Sequence, residues 1–335
     1  MESIVIDIGG TNFRIGIFTE KNEIVDAHRF ETPNFINHPS SSIDHLQELL
    51  IDTLISKVRT YQQRYQHITS VGLSFPAAIT NAGITHKVPT VWGKEGANYP
   101  LLENLKRKLP KINWVVANDI TAAAERYGQM EKYRSVDYLC VITVSSGIGN
   151  KVYDVQNKKV ILDSMCIGGE MGHIQYDISS DAPICDCGGR GHIACYSSGR
   201  AVENLAQATS RMSMHEFANS VLGEVCKAPE QITNLKFVEA AKLKDKFTLN
   251  ILDKTTFPLA YAIGYLSGAI GVERFIMIGG FALNLGDTYL ESLRRNLRRI
   301  ELFSRKPDEK DNLVELGIND DNDCLIGIGL LTTKL

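Results

Sequence analysis

The chain has 335 residues, 44% of them hydrophobic and 22% charged, with a formal net charge of −3. That length can bury a large core and suggests two lobes or domains, and the slightly acidic balance excludes the basic stripe of a nucleic-acid-binding protein. No run reaches the ~18–20 apolar residues of a membrane-spanning helix.

The N-terminal SIVIDIGG reads as a β-branched strand ending in glycines, with no secretory pattern ahead of it. FRIGIFT and EIVDAHRFET continue as strands about a turn at Lys21–Asn22, giving an antiparallel meander. Residues 45–65 carry Leu46, Leu49, Leu50, Leu54, Ile55 and Val58 at helical spacing and predict an amphipathic helix. SVGLSFP is a buried strand stopped by Pro76, residues 113–117 are another, and residues 121–127 open a helix. A second cycle follows: a strand at 138–144, a turn at SSGIGN, and a hairpin of NKVYDV with KKVILD. Helices are expected at 200–206, 214–222, 235–257 and 256–270, then a strand at 275–278, a Gly279–Gly280 turn and a closing helix in CLIGIGLLTT. The basic run RRNLRR reads as a solvated helix face. The pattern strand, glycine turn, strands, helix occurs twice, so two related lobes facing a cleft are expected.

Segment 167–198 brings His173, Cys185, Cys187 and His192 together among glycines. Cys-x-Cys with two histidines supplies the four ligands of a structural zinc site, and Cys195 is a spare thiol that can substitute for His192. Cys140, Cys166, Cys226 and Cys324 stand alone and read as small buried hydrophobes. Seven cysteines, an odd number, fit a reducing compartment, so a cytoplasmic protein is expected.

Asp7, Gly9, Gly10, Thr11 and Asn12 form a turn whose backbone N–H groups can approach phosphate oxygens, with Asp7 a candidate for Mg²⁺. Ser145, Ser146 and Gly147 repeat that chemistry in the second lobe, and Gly279–Gly280 suits a flat purine. Asp119, between a strand and a helix, reads equally as a general base or a helix N-cap. Glu125 reads as a surface helix residue, Trp92 as core or cleft wall, and Lys151 as solvated.

DIGGTN, SFPAAIT, NDITAAAERYG, VSSGIGN, GEMGH, CDCGGRGH and IMIGGFALN occur in the order of the ROK family of sugar kinases and repressors. The chain resembles that family over nearly its whole length. The resemblance implies an α/β chain of the actin-like (ribonuclease H-like) ATPase fold, two lobes around a cleft, with a first lobe at 1–118, a second at 119–317, and a helix at about 318–335 packing back on the first. It implies ATP with Mg²⁺, Asp119 as catalytic base, Asn118, Glu170 and His173 at the sugar, and His173 also on zinc. A homo-oligomer, dimer or tetramer, is implied as well.

Departures from the family pattern touch the acceptor. His192 stands where a third cysteine is usual and Ala194 where a glutamate accepts sugar hydroxyls. Pro89–Gly93 replaces an Asn-x-x-Gly-Trp stretch, Ala77 a glycine and Ser146 a threonine. The reading is therefore a kinase of a modified hexose, amino sugar or C7-cyclitol before plain glucose. The alternatives are a glucokinase or hexokinase of the family, and a sugar sensor lacking the DNA-binding domain that family repressors carry ahead of the first strand, where Asp7 is here the seventh residue.

Overall fold

A computed structural model describes residues 2–93 and 98–334. The chain forms two compact units: Met1–Tyr133 with Asn157–Gly168 and Asp320–Leu335, and Arg134–Gln156 with Gly169–Asn319.

The first unit is built on the strands β1 (Ser3–Ile8), β2 (Asn12–Phe18), β3 (Ile24–Glu31), β4 (Ser70–Phe75) and β5 (Asn113–Asn118), in the order β3-β2-β1-β4-β5. The first three form the antiparallel meander, and β4 and β5 add in parallel to β1. Alternation along β1 sends Ile4, Ile6 and Ile8 into a core with the helix Ile43–Arg64, and Val5 into a second core with the helix Asp323–Thr332. The latter helix sits close because its contact face is partly glycine. A Cβ on Gly327 would lie 1.6 Å from the Ala122 carbonyl oxygen, and one on Gly329 2.3 Å from the Phe18 ring.

The helix Asp119–Gly128 belongs to this first unit, so the boundary falls after Tyr133 and not at 118. Its packing partner is Asp323–Thr332, and the two are tied by Arg126. That guanidinium, 7% exposed, lies 2.6 and 2.7 Å from the two carboxylate oxygens of Asp320 and 2.8 Å from Asp323. Arg126→Met strands two carboxylates against an apolar side chain and is expected to cost about 3 kcal/mol in urea unfolding.

The second unit repeats the plan with β6 (Tyr138–Val144), β7 (Ile148–Asp154), β9 (Arg274–Ile278) and β10 (Val314–Leu316), ordered β10-β9-β6-β7, while the two-residue strand β8 (Lys159–Val160) lies in the segment Asn157–Gly168. β7 is antiparallel to β6, whereas β9 and β10 run parallel. The hairpin expected at residues 150–163 is present as β7 beside β8 but its second arm is only two residues long, and β7 starts earlier, at Ile148, and pairs along its length with β6.

Helix boundaries differ from expectation in two places. Residues 214–222 break at Ser220, whose hydroxyl caps Gly223 N–H. Residues 235–270 break at Lys244 and Asp245 rather than near Phe257. Lys244 has φ 58°, and the Asp245 carboxylate accepts the Thr248 N–H at 3.0 Å. The helix Lys246–Ile270 then runs through Pro258. The carbonyl deprived of its donor there belongs to Lys254, an exposed residue. The basic run is ion-paired rather than simply solvated: Arg295 and Arg299 bond Asp253, and Arg298 bonds Asp311.

Candidate active site and metal cluster

In the first unit, β1, β4 and β5 are parallel, so their carboxyl ends share one edge of the sheet, where ligands of open α/β sheets bind. Asp7 pairs with Ser74 and Ser74 with Ala117, and Asn118 and Asp119 follow directly. The Asp7 side chain is 22% exposed, and loss of water around it raises its pKa above the usual carboxylate value; the Ser74 hydroxyl and Arg14 oppose that rise. Ser74 Oγ donates to Asp7 Oδ1 at 2.9 Å, and Arg14 lies 3.9 Å away.

The Gly9–Asn12 turn is a tight hairpin closed by Gly9 N–H to the Asn12 carbonyl at 2.9 Å. A Cβ on Gly9 would lie 2.8 Å from that same oxygen, and one on Gly10 3.0 Å from the Thr90 oxygen. Two buried residues that sequence reasoning missed hold it: Thr32 Oγ1 donates to the Gly9 carbonyl at 2.9 Å and Asn34 Nδ2 to the Gly10 carbonyl at 2.8 Å. Thr11 and Asn12 are exposed, with Asn12 Nδ2 on Thr11 Oγ1.

Asn118, not Asp119, caps the following helix, accepting the Ile120 and Thr121 N–H groups at 3.0 and 3.2 Å. Its Nδ2 donates to the Ala77 carbonyl and, at 2.7 Å, to Asp119 Oδ1, which also accepts Ile120 N–H at 2.8 Å. Asn118 thus orients the Asp119 carboxylate. Cys324, expected to be an inert core thiol, is half-buried and contacts this edge: its Sγ lies 3.5 Å from the Asp119 carbonyl oxygen. Burial, with Asp7, Asp119 and Asp323 nearby, pushes the thiol well above its ordinary pKa and keeps it a donor.

In the second unit, parallel β6 and β9 bring Ser145, Ser146 and Gly147 to the same sheet edge as Gly279 and Gly280. Gly279 has φ 91°, and a Cβ there would meet Val144 backbone at 2.6 Å, so only glycine fits. Glu170 and His173 are exposed and flank one tight turn, Met171–His173. The buried Asn150 of β7 pins that turn, donating its N–H to the Gly169 carbonyl at 2.8 Å and accepting Met171 N–H at 3.1 Å.

His173, Cys185, Cys187 and His192 converge, their ligand atoms all within 4.8 Å of one another. His173 Nδ1 is 3.4 Å from His192 Nδ1 and 3.6 Å from Cys185 Sγ, and Cys187 Sγ is 3.4 Å from His192 Nδ1. Burial, aided by His173, pushes the His192 imidazole down toward its neutral, ligating form. Cys195 lies in the helix Ala194–Ser197, outside the cluster found among the described residues. The loop has its own brace: Tyr196 donates to Asp177 at 2.6 Å, and the Tyr176 and Asp177 N–H groups share the Gly191 carbonyl.

Among the remaining candidates, Glu125 and Lys151 are not solvated as expected but 1% and 2% exposed, while Trp92 is core. Glu125 accepts from Gln129 and pairs with Lys334.

Comparison with known proteins agrees with this organisation. The chain is 37% identical over 332 residues to a C(7)-cyclitol 7-kinase of Streptomyces hygroscopicus subsp. limoneus, covering 98% of this chain and 93% of the relative. It is 26% identical to a 2-epi-5-epi-valiolone 7-kinase of Actinoplanes sp., covering 97% and 91%. Among solved structures, a ROK family glucokinase from Streptomyces griseus in complex with glucose and AMPPNP superposes with a TM-score of 0.76 at 21% identity, each chain covered completely. The two five-stranded mixed sheets are thus those of the actin-like ATPase fold. A model described as the ROK family matches residues 3–334, and the chain belongs to that family.

Proposed function

We propose that the protein is a kinase that transfers the γ-phosphoryl group of ATP to a hydroxyl of a sugar-like polyol, a C7-cyclitol before plain glucose. The observation that carries this reading is Asp119, oriented by Asn118 at the carboxyl edge of β5, in a chain 37% identical to a C(7)-cyclitol 7-kinase.

Asp119 serves as the base. Its carboxylate takes the proton of the acceptor hydroxyl as that oxygen forms a bond to the γ-phosphorus and the bond to the ADP oxygen breaks. The hydrogen bonds from Asn118 and Ile120 to Oδ1 hold the carboxylate in a single orientation before the acceptor arrives. Within the first unit the Gly9–Asn12 turn offers backbone groups suited to phosphate, and within the second Ser145–Gly147 offers the same chemistry and Gly279–Gly280 a surface suited to a purine. Asp7, anchored by Ser74, suits Mg²⁺, which when bound supplies charge for the phosphate oxygens.

Glu170 and His173 read the acceptor. The donor set of His173, Cys185, Cys187 and His192 suits zinc: tetrahedral bonds of about 2.3 Å to sulfur and 2.0–2.1 Å to nitrogen place neighbouring ligand atoms roughly 3.4–3.6 Å apart. The ligand spacings of 3.4, 3.4 and 3.6 Å support that choice. Zinc would tie the glycine-rich loop to the turn that carries His173. We further propose a cytoplasmic homo-oligomer, dimer or tetramer, that acts on a small molecule and not on nucleic acid.

An ADP-release assay with Mg-ATP against C7-cyclitols, glucose, mannose and N-acetylmannosamine tests the reading. Turnover highest on a cyclitol is expected. Preference for glucose overturns the acceptor class, and silence on every acceptor overturns the kinase.

Ala194 sits half-buried two residues past His192, with no acceptor for sugar hydroxyls there. Ala194→Glu supplies one, and kcat/KM for glucose relative to the cyclitol is expected to rise about 10- to 100-fold, the range of one added polar contact.

A further inference from the structure

Two carboxylates of the first unit matter to phosphoryl transfer, and they come from strands that are not neighbours. β4 separates β1 from β5, so at a strand spacing of about 4.8 Å the two backbones lie about 10 Å apart. Nothing in β1 or β5 alone sets the separation of Asp7 and Asp119. The helix Asp323–Thr332 crosses the face of the sheet that carries Val5 and Asp7, because alternate residues of β1 share a side. Ile328 of that helix lies over Gly72, where a Cβ would meet its Cγ1 at 2.8 Å. One helical turn earlier on the same helix face stands Cys324, and two residues further along β4 stands Ser74, the partner of Asp7. The thiol therefore lands between the two carboxylates. Its single proton faces two acceptors there, the Asp119 main-chain oxygen, 3.5 Å from Sγ, and the Asp7 carboxylate, with the Ser74 hydroxyl beside them. Contacts at the start of the helix hold the thiol there: ion pairs of Arg126 with Asp320 and Asp323 on the Asp119 side, and hydrogen bonds from Arg14 to the Asn322 side chain and the Asp321 carbonyl on the Asp7 side.

We propose that Cys324 is a positioning residue, whose thiol couples the Asp7 carboxylate to the Asp119 backbone and so sets the spacing of the nucleotide-side and acceptor-side carboxylates. It touches no reacting atom and acts through Asp7 and Asp119. The proposal rests on the kinase reading above. A hydroxyl at this position keeps a donor in nearly the same place, whereas a methyl group removes it.

Cys324→Ala and Cys324→Ser, compared with the wild type, test the role. For Cys324→Ala, kcat is expected to fall about tenfold and the affinity for Mg-ADP, measured by calorimetry, about fivefold, as for loss of one charge-assisted hydrogen bond. Acceptor KM and melting temperature are expected to stay near the wild type. Cys324→Ser is expected to recover both quantities to within about threefold. The proposal is overturned if Cys324→Ala matches the wild type in kcat and Mg-ADP affinity. It is equally overturned if alanine and serine variants fall together or the loss tracks melting temperature, either of which marks simple packing. Wild-type turnover in the same assay reports on the kinase reading separately, and the calorimetric comparison decides the role of Cys324 without it.

Discussion

Asp119→Asn is expected to leave a folded protein that binds Mg-ATP and acceptor yet turns over about 10²- to 10⁴-fold more slowly, the usual contribution of a general base. The substitution is nearly isosteric, and the helix keeps its cap because Asn118 bonds the Ile120 and Thr121 N–H groups, Asp119 sharing only the first. Melting temperature should therefore move little while kcat collapses. An amide can keep the hydrogen bond from Ile120 but cannot take the hydroxyl proton. Steady-state kinetics beside nucleotide binding checks the split. Unchanged kcat would remove Asp119 from the chemistry.

Replacing Cys185 and Cys187 together by serine should have the second largest effect. The wild type is expected to carry about one zinc per chain by elemental analysis, and the double variant essentially none, because serine is a poor match for this borderline-soft ion. The consequence for the acceptor site runs through His173, which shares the cluster and stands one turn from Glu170. Structural zinc contributes directly to the folding of the loop that holds it. Acceptor KM should rise at least tenfold, with nucleotide affinity retained because the glycine turns lie on other elements. Prolonged chelation of the wild type should reproduce both changes. Retention of one zinc in the double variant would sink the assignment.

Several parts of the molecule were legible in the sequence. The β1–β3 meander follows from β-branched runs and a polar turn, and Ile43–Arg64 from apolar residues at helical spacing. The cluster of His173, Cys185, Cys187 and His192 was legible because these side chains lie within twenty residues of one another, close enough for spacing to limit the geometry. Strand β10 was missed since three residues carry no period. The division expected near Phe257 is absent, since the helix Lys246–Ile270 runs through Pro258, which costs a long, well-packed helix only one hydrogen bond. The supports of the candidate catalytic edge were illegible for a different reason. Thr32 and Asn34 act through backbone oxygens of the glycine turn, which sequence cannot register. Arg14 and Cys324 meet their partners across 308 and 205 residues of chain. No local pattern marks such a thiol as different from the buried Cys140 or Cys226.

The return of Asp320–Leu335 to the first unit has a consequence for biogenesis. A growing polypeptide emits the meander, β4, β5 and the Asp119 helix early, and then the whole of the second unit, before the covering helix exists. Throughout that interval Val5, Phe18 and Ala122 lack the partners Leu325 and Ile328 that bury them. The second unit, whose core draws on no residue of that helix, can consolidate first. Synthesis thus runs opposite to completion: the half begun first is finished last, and its apolar face is the one a nascent-chain chaperone has to shield.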